Sequence, residues 1–264
     1  MADADALREG GAPNRLTPPS SGEPGPIGSA PEAEKTMSLV DHLGELRTRL
    51  IRSILAVGVG AAVGFYVSST IRRYLIELLP SGHVQILSPG DGFAISLRIA
   101  IVVGVILAMP VLLYQLWAFV APGLTPHERR LIRPWIPLAL FFFALGVAIA
   151  FIILPFALTF LLSFTDQYIT GDTLAAVPYF DFVTTMFLAF GLLMEFPIVL
   201  YALSRVGIVT SARLASSRRI AILAIAVFAA VATPGGDLVS PTVLGGTMYL
   251  LYELTLLAIR RSGK

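Results

Sequence analysis

The sequence predicts an all-α polytopic membrane protein: six transmembrane helices, kinked and arranged as a concave wall, with both termini cytoplasmic. Three observations predict it. The 264 residues are 56% hydrophobic and only 14% charged, with a mean hydropathy of +0.80, whereas soluble domains carry about 25% charge. The apolar residues cluster in runs close to the ~20 residues that cross a bilayer as a helix. The basic residues gather between alternate runs, the pattern that orients membrane proteins.

The elements follow in order. Residues 1–36 are rich in Gly, Pro, Ser and Ala without apolar periodicity, and read as a disordered cytoplasmic tail ahead of a membrane domain over 37–264. The tail has no apolar h-region and carries several acids, unlike a secretory signal or a transit peptide. Ser38 and Asp41 form a capping pair for a short amphipathic helix in SLVDHLGELRTRLIR. Its apolar stripe is Leu39, Leu43, Leu46 and Leu50, with Asp41, Glu45 and Thr48 on another face. Spans are expected over about 50–70, 97–121, 134–164, 179–203, 220–233 and 242–259. The last two are short and read as a tight pair joined by the Pro/Gly turn at TPGGD.

Six spans place both termini on one side, and the charges test that. Arg8, Arg15, Lys35, Arg47, Arg49 and Arg52 precede or open the first span. Arg129, Arg130 and Arg133 follow the second, Arg205, Arg213, Arg218 and Arg219 follow the fourth, and Arg260, Arg261 and Lys264 close the chain. Only Arg72, Arg73 and Arg98 fall on the other face, so the termini are cytoplasmic. Pro110, Pro155 and Pro197 each remove a backbone donor from a long helix, which predicts bends and a curved wall. Gly60-x-x-x-Gly64 predicts close helix packing.

No enzyme chemistry is visible. The absence of cysteine excludes disulfides, thiolate zinc sites and cysteine nucleophiles. There is no phosphate loop, no HExxH and no GxSxG, and His42, His83 and His127 lie in separate segments. We therefore expect no catalytic residue, cofactor, metal or nucleic-acid partner. The informative residues are carboxylates. Glu195, in FGLLMEFPIVL, sits mid-span, where a charge costs roughly 2.5–3.5 kcal/mol and must be protonated, paired or facing water. Glu45 and Glu128 are cytoplasmic. Each also has a structural reading: Glu45 as the i+4 partner of Arg49, and Glu128 as the last residue of a Thr-Pro-His-Glu capping box. A neutral Glu195 hydrogen-bonded between helices is the corresponding alternative there.

HLGELRTRLI, PVLLYQLWAFVAPGLTPHERR, the Glu of FGLLMEFP, TPGGD and MYLLYE occur in an order that resembles the TatC family, the polytopic subunit of the twin-arginine protein translocase. The resemblance covers about residues 37–260. It implies a receptor for Arg-Arg signal peptides of folded cargo that assembles with TatA/TatB-type single-span subunits and draws on the protonmotive force. It also implies a prokaryotic plasma (inner) membrane and a homo-oligomer within a receptor complex. The family's receptor glutamates fall on Glu45 and Glu128, with Arg47, Phe119 and Arg130 as neighbouring motif residues. Its intramembrane acid falls on Glu195, and Thr233 and Asp237 fall in its partner-docking and turn positions. The chain departs from the family pattern at Tyr74, Ala150 and Pro241. Guanidinium offers a planar fork that a carboxylate accepts through two bonds, so two such acids would select Arg-Arg over Lys-Lys by geometry. The rival class is a proton-coupled small-solute transporter with Glu195 as carrier acid, but the sequence lacks the internal symmetry such folds show.

Overall fold

The computed structural model describes residues 39–79, 82–164, 174–205, 207, 209–233 and 238–261. The expected tail over 1–36 and the Ser38 cap lie outside them. The first element, α1 (Leu39–Glu77), is a single helix rather than an amphipathic piece followed by a separate span. Nothing in RTRLIRSIL breaks a helix, so the surface pattern runs straight into the apolar one. Its 39 residues extend about 58 Å, well beyond the ~30 Å of a hydrocarbon core. Leu43, Leu46 and Leu50 all face outward, as suits lipid contact.

Helix α2 (Asp91–Val120) returns antiparallel to α1. It starts where Asp91 Oδ2 accepts the backbone N–H groups of Leu87 and Ser88, both at 2.9 Å. The glycine spacing in α1 serves as expected. A Cβ on Gly60 would lie 2.8 Å from the Gly104 carbonyl oxygen, and one on Gly64 would lie 2.8 Å from that of Ala100. Only hydrogen at these positions lets the two backbones approach so closely.

A short 3₁₀ turn (Ala121–Gly123) leads to α3 (Pro126–Ile132). This helix begins as the TPHE spacing predicts, with Arg129 N–H donating to the Thr125 carbonyl at 2.9 Å and Pro126 in first position. The remaining helices are α4 (Trp135–Leu162), α5 (Ala176–Leu193), α6 (Phe196–Arg205), α7 (Ser211–Ser216), α8 (Arg218–Ala232) and α9 (Val239–Arg261). Two-residue strands β1 (Val84–Gln85) and β2 (Leu174–Ala175) pair in parallel, tying the connection after α1 to the one before α5.

The prolines do not act alike. Helices α2 and α4 run through Pro110 and Pro155 as single elements, whereas the fourth apolar run breaks at Met194 and Glu195, just ahead of Pro197. Phe143, Phe180, Phe190, Met186, Met194 and Leu154 form the fully buried centre between α4 and α5. Two buried phenols fasten the helices: Tyr179 donates to the Leu75 carbonyl at 2.5 Å, and Tyr252 to that of Leu214 at 2.7 Å.

Among the described residues, five stretches are long and apolar enough to cross a membrane: Asp41–Glu77, Asp91–Gly123, Trp135–Leu162, Ala176–Ser204 and Val239–Arg261. The fourth combines α5 and α6. Helix α8, expected as a span over 220–233, falls short of that length. Its 15 residues reach about 22 Å, because Arg218 and Arg219 stand at one end of the apolar run and Thr233-Pro234 at the other.

Candidate functional site

Antiparallel packing gathers one end of the membrane domain. Arg49 in α1 meets Gln115 in α2, Trp135 of α4 stacks on Tyr201 of α6 at 3.6 Å, and Ala258 of α9 lines the same cleft as Trp135. The arginines of the first turns of α1, of α3, of the α7–α8 junction and of the last turn of α9 therefore share this end. Arg72, Arg73 and Arg98 lie at the other.

Glu45 sits in the second turn of α1, its side chain only 16% exposed. Its Oε1 accepts two bonds from Arg49, from Nε at 2.8 Å and from Nη2 at 2.5 Å. Nη1 of the same guanidinium donates to Gln115 Oε1 at 3.2 Å, an amide buried in α2. The i+4 pairing foreseen from spacing is thus real and reaches a second helix. The other carboxylate oxygen, Oε2, is buried with no hydrogen-bond partner among the described residues, and its neighbour His42 Nδ1 is 3.9 Å away. The His42 ring stacks on Phe119 of α2 at 4.4 Å, which joins Phe119 to the cluster.

The other expected residues are more loosely placed. Arg47 and Arg130 are exposed, and neither forms an ion pair or hydrogen bond among the described residues. Arg129 turns inward instead, donating to the Ala121 carbonyl at 2.7 Å and 3.2 Å. Glu128 occupies the first turn of α3, but its side chain lies outside what is described.

Mid-membrane, Glu195 stands at the break between α5 and α6. Its N–H bonds to Leu192 O at 3.1 Å in a tightened turn, and its own carbonyl starts α6 by accepting from Ile198 and Val199. Pro197 has no N–H, so the Leu193 carbonyl loses its regular donor. Glu195 Oε1 is buried without a hydrogen-bond partner among the described residues. Residues on both sides of it line clefts: Pro197 and Ile198 face α4 and α9, while Leu193 and Phe196 face α8.

Thr233 is buried at the end of α8 and spends its hydroxyl on the Ala229 carbonyl at 2.7 Å. Asp237 lies outside the described residues. No cluster of three or more metal-ligating side chains occurs among the described residues.

The sequence did not single out His42 or Gln115. A lone amide in the apolar run VLLYQLWAF was the available signal for Gln115, because a polar side chain inside a span needs a partner. Nothing local announces His42, whose role depends on the register between α1 and α2.

Residues 41–246 match the family described as "Sec-independent protein translocase protein (TatC)". The chain is 35% identical over 245 residues to the TatC protein of Desulforapulum autotrophicum, covering 88% of this chain and 87% of that one. It is 37% identical over 227 residues to the TatC protein of Aquifex aeolicus, covering 83% and 93%. A crystal structure of the twin arginine translocase receptor TatC aligns with a TM-score of 0.71 at 35% identity, over 84% of this chain and 100% of that one. The chain belongs to the TatC family of Sec-independent protein translocases.

Proposed function

We propose that this chain is the receptor and core component of a twin-arginine translocase, holding the Arg-Arg motif of signal peptides at its cytoplasmic face. The state of Glu45 carries the reading. Its carboxylate is largely buried at the arginine-rich end, already holds one guanidinium through a single oxygen, and has no hydrogen-bond partner for the other oxygen among the described residues. Such a group is built for guanidinium and has capacity for more. Glu45 and Glu128, from separate elements, each take one signal arginine, beside Arg47, Phe119 and Arg130. The test is binding of an Arg-Arg and a Lys-Lys signal peptide to Glu45→Ala and Glu128→Ala chains that insert normally. Undiminished Arg-Arg binding to both refutes the assignment.

The topology is six spans with both termini cytoplasmic, α8 being the fifth. Its outward face supports this: Ile220, Leu223, Val227, Phe228 and Val231 are all more than half exposed. Side chains of that kind need lipid, and a thinned bilayer accommodates the short helix. We place the chain in the prokaryotic inner membrane, in a homo-oligomeric receptor complex with TatA/TatB-type single-span subunits, exporting folded cargo on the protonmotive force. Glu195 serves transport rather than recognition, and the α8–α9 junction around Thr233 and Asp237 is where the small subunits dock.

A further inference from the structure

We propose that Arg49 is a built-in competitor for the signal peptide: its guanidinium occupies the Glu45 carboxylate in the resting receptor and must give way to a signal arginine. The inference rests on the receptor reading of Glu45 and deepens it. Three observations carry it. Arg49 binds Glu45 with the same chemical group the signal would present, Nε and Nη2 converging on Oε1. It does so incompletely, because the parallel two-oxygen geometry would engage Oε2, which has no hydrogen-bond partner among the described residues. And Arg49 has a second seat, since its Nη1 already bonds Gln115 on the neighbouring helix.

Displacement then follows from charge and valence. An incoming arginine that forks across both oxygens makes one bond that Arg49 does not contest, then replaces Arg49 at the other oxygen. Two guanidinium groups on one carboxylate repel, and Gln115 keeps the displaced Arg49 from being stranded half-buried without an acceptor. A lysine offers a single point of charge and cannot bridge both oxygens, so it meets the competitor head-on. Selectivity therefore comes partly from an element acting against the wrong ligand, not only from attraction to the right one.

The experiment is titration of full-length chain in lipid nanodiscs with Arg-Arg and Lys-Lys signal peptides, for the parent, Arg49→Met, Gln115→Leu and Glu45→Ala. Removing the competitor should tighten Lys-Lys binding by about fivefold or more, since this largely buried pair couples at least as strongly as an exposed one, and Arg-Arg binding by less. The preference for Arg-Arg then shrinks. Gln115→Leu removes the second seat and should weaken Arg-Arg binding, which also provides a readout if Arg49→Met folds poorly. Weaker Arg-Arg binding in Arg49→Met, or an unchanged Arg/Lys ratio, overturns the proposal by making Arg49 a mere support for Glu45. If Glu45→Ala binds like the parent, the receptor reading itself fails, an outcome distinct from the failure of the competitor.

Discussion

Glu45 and Glu195 are both acids with a buried carboxyl oxygen that has no hydrogen-bond partner among the described residues, and the fold treats them in opposite ways. At the arginine-rich end, Glu45 lies in an unbroken helix and is held by side chains: Arg49, with Gln115 behind it, and His42 stacked on Phe119. In mid-membrane, Glu195 is held by backbone. The helix opens around it, and no side chain among the described residues bonds its Oε1. A carboxylate near water can be tuned by charged neighbours. One inside the bilayer is placed by interrupting the helix that carries it, since a second charge there costs as much as the first. The first arrangement suits the proposed recognition role and the second the proposed transport step.

The largest effect is expected at the side-chain-held site. Glu45→Ala leaves Arg49 with Gln115 alone and should weaken Arg-Arg peptide binding by about thirtyfold or more, the scale for truncating one partner of a buried charge pair. Equilibrium titration in nanodiscs measures it, and a change under threefold would erase the contrast with Glu195. Next comes Glu195→Leu. Peptide binding should stay within about twofold of the parent while export of a folded reporter slows by about tenfold or more, given what it costs to keep a carboxyl in the bilayer at all. Export at the parental rate would mean the helix break serves packing only.

Glycines sharpen the comparison at the level of stability. Gly146 in α4 abuts the turn leading to Glu195: a Cβ there would lie within 3 Å of the Phe190 carbonyl and of Met194 Cγ. Gly146→Val should cost at least about 1–3 kcal/mol, read as a lower midpoint in thermal unfolding. Gly44, beside Glu45, has nothing within 4 Å of a built Cβ. Gly44→Ala should raise the midpoint slightly, since Ala in an exposed helix is worth up to about 1 kcal/mol over Gly.

The sequence revealed these two sites unequally. Glu45, Glu128 and Glu195 stand out because a carboxylate among arginines or inside an apolar run demands an explanation. The company Glu45 keeps does not stand out, because His42–Phe119 and Arg49–Gln115 are set by the register of α1 on α2, which the glycines fix in space. The continuity of α1 was hidden for a related reason. A change from amphipathic to apolar pattern marks a change of solvent, not the end of a helix. Pro197 carries the same local signal as Pro110 and Pro155, yet the break lies beside Pro197, where the chain also brings Glu195 to a turn. The β1–β2 pairing is two residues long and leaves no periodic trace.

The smallest effect is expected at the other end of the membrane domain, where Arg98 of α2 and Asp181 of α5 form an ion pair. This pair and Glu45–Arg49 would look alike in a count of salt bridges. Exposure separates them. The side chains of Arg98 and Asp181 are 45% and 43% exposed, against 21% and 16% for Arg49 and Glu45. Water and salt screen the first pair, so its formation gains little over the solvated charges. A double-mutant cycle with Arg98→Ala and Asp181→Ala should give a coupling of about 0.2–1 kcal/mol in thermal unfolding, shrinking as salt is raised. A coupling above about 2 kcal/mol would place the pair in the same class as Glu45–Arg49. Exposure would then fail as the criterion that separates the two pairs.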